Sequence, residues 1–80
     1  MTPKRWVRVV RNVPVVLREE RERLGYTQAV PAEALELSQG QLSKIESGQS
    51  AITLGQFLRL CEVYGILPES ILRRADERGR

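Results

Sequence analysis

The sequence predicts a small all-α domain of five helices, in which the second and third form a helix-turn-helix. Residues that cap helix starts recur along the chain, glycines stand where the predicted helices end, and apolar residues between them repeat every three to four positions. Eighty residues suffice for a single modest core, so we predict one domain.

Composition narrows the class of protein. The chain is 41% hydrophobic and 29% charged, like ordinary soluble domains, with no run near the roughly 20 apolar residues that span a bilayer. No secretory signal is recognisable, so we expect a cytoplasmic protein. With one cysteine, Cys61, and no histidine, we predict no disulfide, no metal, no cofactor and no catalytic residues.

The basic excess lies at the start of the chain. Residues 1–12 carry four bases and no acid, whereas the remaining residues sum to −1. Such a segment resembles the arms that some DNA-binding domains lay along phosphates, although it could equally be a solubilising terminus. The four bases are Lys4, Arg5, Arg8 and Arg11.

The conformation of this basic extension stays open between an arm, a strand and an extra helix. β-Branched residues with partial alternation over residues 5–11 favour a short strand. Trp6 and Val10 recur at helical spacing, and Thr2-Pro3 could cap a helix. The first well-defined helix begins near Val13 or Pro14, because proline suits a first turn and kinks a helix that runs through it.

Two caps eleven residues apart define the helix-turn-helix. Thr27 is predicted to cap a helix that opens at Gln28, and Ser38 a helix from Gln39 that closes before Gly48. The spacing leaves about two helical turns and a tight turn, which set the second helix across the first.

Two further helices follow the motif. Thr53 caps a fourth helix that ends at Gly65, and Pro68 opens a fifth. Because the sequence is charged beyond residue 73, the domain is placed at residues 13–73, and residues 74–80 are predicted to be a frayed or disordered tail.

These residues resemble the Cro and lambda-repressor-like helix-turn-helix proteins, also called the XRE family. The similarity spans residues 17–72 and needs no insertion between Gln28 and Glu46. It implies a five-helix domain that binds operator DNA, commonly as a homodimer. The family-like positions are Arg21, Gly25, Thr27-Gln28, Ala32, Leu37-Ser38, Leu42-Ser43-Lys44-Ile45-Glu46, Gly48, Leu54 to Gly65, and Ile71-Leu72.

The resemblance and the chemistry of helix termini give a set of candidate DNA-binding residues. Gln28 stands where the family has a glutamine that grips the DNA backbone, at the positive end of its helix. Gln39 starts the recognition helix, and its amide can pair with N6 and N7 of adenine. The alternative for each is solvated surface. The full set is Gln28, Ser38, Gln39, Gly40, Gln41, Ser43 and Lys44, with Lys4 and Arg5 on the extension.

Arg21 and Glu46 are predicted to serve the scaffold. Family members have an ion pair at these positions, which joins the first helix to the end of the recognition helix. The resemblance therefore implies a structural pair here, which sets orientation more reliably than it adds stability.

Three residues depart from the family pattern. Pro31 replaces a leucine and lacks an N–H, so the first helix of the motif should start late or be distorted. Glu36 replaces a glycine in the turn, where a side chain at positive φ costs roughly 1 kcal/mol. Gly40 leaves a gap in the recognition surface. Residues 38–48 also have no net charge, so this surface alone should bind DNA weakly.

The leading prediction is a sequence-specific transcriptional regulator, a repressor or small controller protein, that binds double-stranded DNA as a homodimer in association with the nucleoid. The fourth and fifth helices, or residues 6–10, could form the dimer interface. The alternative is a protein-interaction module or antitoxin-like partner that binds a protein through its N-terminal segment. Salt-sensitive operator binding favours the first function, and salt-insensitive protein binding the second.

Overall fold

A computed structural model describes residues 4–78, which form five helices without strands. The predicted all-α fold is thereby confirmed. Thr2 and Pro3, considered as a possible helix cap, lie outside the described residues. The helices are α1 (Arg5–Arg23), α2 (Ala29–Ala34), α3 (Gln39–Glu46), α4 (Leu54–Tyr64) and α5 (Pro68–Glu77).

The first helix begins earlier than predicted. It starts at Arg5, so residues 5–12 are the first part of α1 and not a strand, a separate arm or an extra helix, and Pro14 lies inside the helix. A proline there costs about 3 kcal/mol locally. Tertiary contacts offset this cost, because Val9 packs against the core and Val13 and Pro14 are buried.

The last helix extends further than predicted. The charged segment expected to be frayed from residue 74 is helical as far as Glu77. The charged residues of this segment suggest that it is exposed to solvent, yet Ala75 is fully buried in the core. Arg74 and Arg78 also form ion pairs with acids of α1, at 3.1 Å to Glu20 and 2.7 Å to Glu19.

Asp76 joins the start of α1 to the end of α5. Arg5 Nε donates to its Oδ1 at 2.9 Å, and Arg8 Nη2 to the same oxygen at 2.8 Å. Arg8 Nε also donates to the backbone carbonyl of Asp76 at 3.0 Å. We call Arg5, Arg8 and Asp76 the Asp76 clasp. The hydrogen bonds from its two guanidinium groups hold the pKa of Asp76 far below the ordinary value.

The core lies among α1, α4 and α5, and α2 and α3 pack beside it. Thr53 and Gly65 delimit α4 as predicted: Thr53 forms a capping box with Gln56, and Gly65 closes the helix at φ +66°. Within residues 4–78 no helix combines the length and apolar character needed to cross a membrane. The main buried residues are Val13, Val16, Leu17, Phe57, Leu60, Cys61, Tyr64, Ile71 and Ala75.

Replacing Asp76 with asparagine should lower the thermal unfolding midpoint at neutral pH by a few degrees, since the clasp loses its negative charge. A carboxyl whose folded-state pKa is lowered stabilises the protein above its unfolded-state pKa, near 3.8, and that stabilisation is lost as pH falls towards the folded-state pKa. The gap between wild type and Asp76→Asn should therefore shrink below about pH 4. Glu77→Gln, which removes an exposed carboxylate outside the clasp, is the control, and its midpoint at neutral pH should stay close to that of wild type.

Candidate nucleic-acid interface

The start of α3 is fixed by a reciprocal cap. Ser38 is the N-cap, as predicted: its hydroxyl accepts the backbone N–H of Gln41 at 3.1 Å, while the side-chain oxygen of Gln41 accepts the backbone N–H of Ser38 at 2.9 Å. This capping box satisfies two backbone donors. Because its oxygen serves the cap, Gln41 keeps its amide NH₂ group without a hydrogen bond among the described residues.

The start of α2 differs from the prediction. Thr27 is not the N-cap; α2 begins at Ala29, and Gln28 precedes it in helical conformation without a side-chain cap. Pro31 explains the late start, because it occupies the third helical position. An N–H there has no helical acceptor, so its absence costs no hydrogen bond.

The turn between α2 and α3 places a side chain in an unfavourable conformation. Glu36 has φ +56°, the positive value expected where the family favours glycine. Its N–H donates to the carbonyl of Glu33 at 3.1 Å, and Leu37 N–H donates to that of Ala32 at 2.9 Å. These two bonds form a Schellman-type ending, which usually places glycine at the position of Glu36.

A buried salt bridge connects α1 to the end of α3. Arg21 donates to both carboxylate oxygens of Glu46, with Nε–Oε2 at 2.7 Å and Nη2–Oε1 at 3.1 Å. Its Nη1 also donates to the carbonyl of Tyr26 at 2.7 Å. Hydrogen bonding to Glu46 raises the pKa of Arg21 above its ordinary value, so the arginine stays charged.

Two glutamines extend this bridge to the surface. Gln28 Nε2 donates to Glu46 Oε1 at 3.0 Å, and Gln28 Oε1 accepts from Gln39 Nε2 at 3.3 Å. We call Glu46, Gln28 and Gln39 the polar relay. Gln39 thereby keeps its amide oxygen and one N–H available, which are the acceptor and donor that adenine N6 and N7 require.

The remaining exposed residues of α3 follow Gln39 along the helix. Ser43 and Lys44 lie one turn after Gln39 and Gly40, and Lys44 has no ion pair within the described part of the chain. On the opposite side of α3, Leu42 and Ile45 are buried. A Cβ added to Gly40 would meet only Ser38 Oγ, at 3.9 Å. Packing within the chain therefore does not require glycine there.

A polar groove next to α3 was not predicted. It lies between Gln41 and Lys44 on one side and Ser50, Thr53 and Gln56 on the other. The cap pattern at Thr53 is visible in the sequence. Its position next to α3 depends on the path of the connecting loop, which no local pattern specifies.

The basic extension is directed elsewhere. Arg5 bonds to Asp76 of α5, and α5 does not contact α3. Lys4 is an exposed residue directly before α1. The structure thus joins Gln28 and Gln39 in the polar relay, and it places the other candidates of residues 38–44 on α3 and its cap. It does not bring Arg5 to them, so the predicted phosphate contacts of Lys4 and Arg5 stay predictions.

The described residues offer no site for a metal. Between Lys4 and Arg78, no group of three or more histidine, cysteine or acidic side chains could hold an ion. Cys61 is buried on α4, and burial raises the pKa of its thiol, which disfavours the reactive thiolate.

A sequence profile of the helix-turn-helix domain family matches residues 15–74, from the middle of α1 into α5. The chain belongs to this family. It is part of the XRE-like superfamily, whose helix-turn-helix domains are DNA-binding modules and typically not enzymes. No curated protein matches the sequence significantly. The family match agrees with the geometry in indicating a DNA-binding regulator, with α2 and α3 as its helix-turn-helix.

Replacing Glu46 with alanine should destabilise this helix-turn-helix domain by about 3 kcal/mol, because Arg21 would remain buried without its counter-charge. Urea denaturation measures the loss. Glu62→Ala, which breaks the exposed pair with Arg59, should cost less than about 1 kcal/mol. Similar losses in both variants would contradict a special role for the buried pair.

Replacing Glu36 with glycine should stabilise the domain by roughly 1 kcal/mol, because glycine adopts positive φ without steric cost. The matched control is Glu33→Gly, inside α2, which should destabilise it by a similar amount. Urea midpoints that fall in both variants would show that the turn carries no removable strain.

Proposed function

We propose that this domain is a Cro- or lambda-repressor-like transcriptional regulator that reads a specific duplex sequence as a homodimer. The observation that carries the proposal is the hydrogen bond from Gln39 to Gln28, which is itself bonded to buried Glu46. An exposed glutamine without such a partner would have to be ordered on binding, at an entropic cost. Here its amide is oriented before any DNA arrives.

In the proposed complex, α3 lies in the major groove with Gln39 paired to adenine. Gln28 has one amide N–H left for a phosphate oxygen, so it would couple backbone position to base recognition. Gly40 allows the backbone of α3 to approach the bases closely. Ser43 and Lys44 complete the contacts with phosphates or base edges.

The charges around α3 favour a dimer. Lys44 is the unpaired base of α3, while Glu46 is neutralised inside the scaffold by Arg21. One copy therefore neutralises few phosphates and should bind weakly. Two copies on a two-fold operator double the contacts and read half-sites about 34 to 36 Å apart.

Selection from a random duplex pool with the purified protein tests this function. We expect an enriched inverted repeat, whose affinity falls as salt rises from low to physiological concentration. Folded protein that enriches no sequence would contradict the proposal. Salt-insensitive binding to a protein would instead support the interaction-module or antitoxin-like function.

On the selected site, Gln39→Ala should cost roughly 1 to 3 kcal/mol and relax the preference at one base pair per half-site. Lys44→Ala should weaken binding to all sequences and reduce the slope of affinity against salt. Arg73→Ala is the charge-matched control, because Arg73 is exposed on α5, which does not contact α3. A loss of equal size for Arg73→Ala would show a general charge effect instead of a contact by α3.

A further inference from the structure

Two adjacent apolar grooves lie on the surface where α1 passes the loop after α3. The first is lined by Trp6, Val10, Pro14 and Ile52, among others. The second shares Val10 and Ile52 and continues to Leu54 and Leu72. We call Trp6, Val10, Ile52, Leu54 and Leu72 the Trp6 surface.

The Trp6 surface is strongly exposed. Trp6 is 70% exposed, Val10 62% and Leu54 72%. Contiguous apolar patches of this kind on small soluble proteins usually mark an interaction site. The start of α1 is held in place, because Arg5 and Arg8, on either side of Trp6, bond to α5 through the Asp76 clasp. Trp6 is therefore exposed on an ordered part of the helix.

We propose that a second copy of the chain covers the Trp6 surface, with each Trp6 side chain inserted into the first groove of its partner. The inference rests on the proposed function, because it assigns the interface of the homodimer. A two-fold interface must be complementary to itself. This surface meets that requirement, because its exposed indole forms one wall of an apolar groove of about 390 Å³ that can receive the indole of a second copy.

The charged rim of the groove also fits a second copy. Arg11 lines the first groove and has no ion pair in the described range 4–78. In the dimer, its guanidinium would lie over the indole of the partner, where a cation–π contact favours the close approach. A basic rim is therefore compatible with self-association, although it would also attract an acidic protein.

The dimensions of the molecule are compatible with the arrangement. One copy measures 42 × 23 × 19 Å, so two copies in side contact are long enough together to reach two half-sites one turn of DNA apart, about 34 Å. A standard interface buries roughly 800 Å² per partner. One inserted tryptophan supplies about 150 to 250 Å² of this, so the Trp6 surface and its rim would give a small interface and a modest affinity that DNA reinforces.

The single tryptophan of the chain makes the test direct. Sedimentation without DNA should show a mass rising with concentration towards twice the 9.1 kDa of one chain, while tryptophan emission shifts to the blue as Trp6 becomes buried. Trp6→Ala should weaken self-association at least roughly tenfold. Val10→Asp should stay monomeric, with red-shifted emission at every concentration.

The matched control is Leu67→Asp. Leu67 is 64% exposed and Val10 is 62% exposed, so the two positions are matched in exposure. Unlike Val10, Leu67 lies between α4 and α5, outside both grooves. This variant should dimerise like wild type, and circular dichroism should show all three variants folded. A dimer abolished by Leu67→Asp and kept by Val10→Asp would overturn the inference in favour of the α4–α5 side.

Other outcomes separate this inference from the proposed function. Wild-type protein that stays monomeric without DNA and on its selected site would overturn the dimer surface, yet leave sequence-specific DNA binding intact. If the monomeric wild-type protein instead bound an acidic protein through Trp6, this result would also overturn the dimer surface. A Trp6-dependent dimer that selects no DNA would support the surface and contradict the proposed function.

Discussion

The orientation of α3 depends on the buried salt bridge between Arg21 and Glu46. Leu42 and Ile45 hold α3 against the rest of the domain, but apolar contacts alone tolerate small rotations and shifts. A bidentate salt bridge does not tolerate such rotations and shifts, because its donors and acceptors have fixed directions. Since Gln28 bonds to the same carboxylate, the position of Gln39 is set by a chain of polar contacts that begins in the interior.

Several arginines of this protein form ion pairs within the fold and so add little free positive charge to its surface. Arg5 and Arg8 neutralise Asp76, Arg21 neutralises Glu46, and Arg74 bonds to Glu20. Since residues 38–48 have no net charge, the net charge of +3 is not concentrated on α3. Recognition in the proposed complex depends on amides, a hydroxyl and helix geometry, and electrostatic attraction makes a smaller contribution than in strongly basic DNA-binding domains.

The sequence predicted what local rules determine. Ser38, Thr53 and Gly65 mark helix ends through chemistry within a few residues, and each does so in the structure. The start of α1 and the end of α5 could not be found in this way. They depend on Asp76, whose partners lie 68 and 71 positions away in sequence. The same limit applies to Gln28. It was predicted to open α2 and to contact DNA, whereas its bond to Glu46 follows from packing that no local pattern specifies.

The Asp76 clasp has a consequence for how the protein is made. The arginines of α1 find their partner in α5, so during synthesis Arg5 and Arg8 must wait until Asp76 has left the ribosome. The helix-turn-helix between them is synthesised before α4 and α5 can complete the core beside it. Until then the apolar side of α1 that α5 covers in the folded domain is available to chaperones.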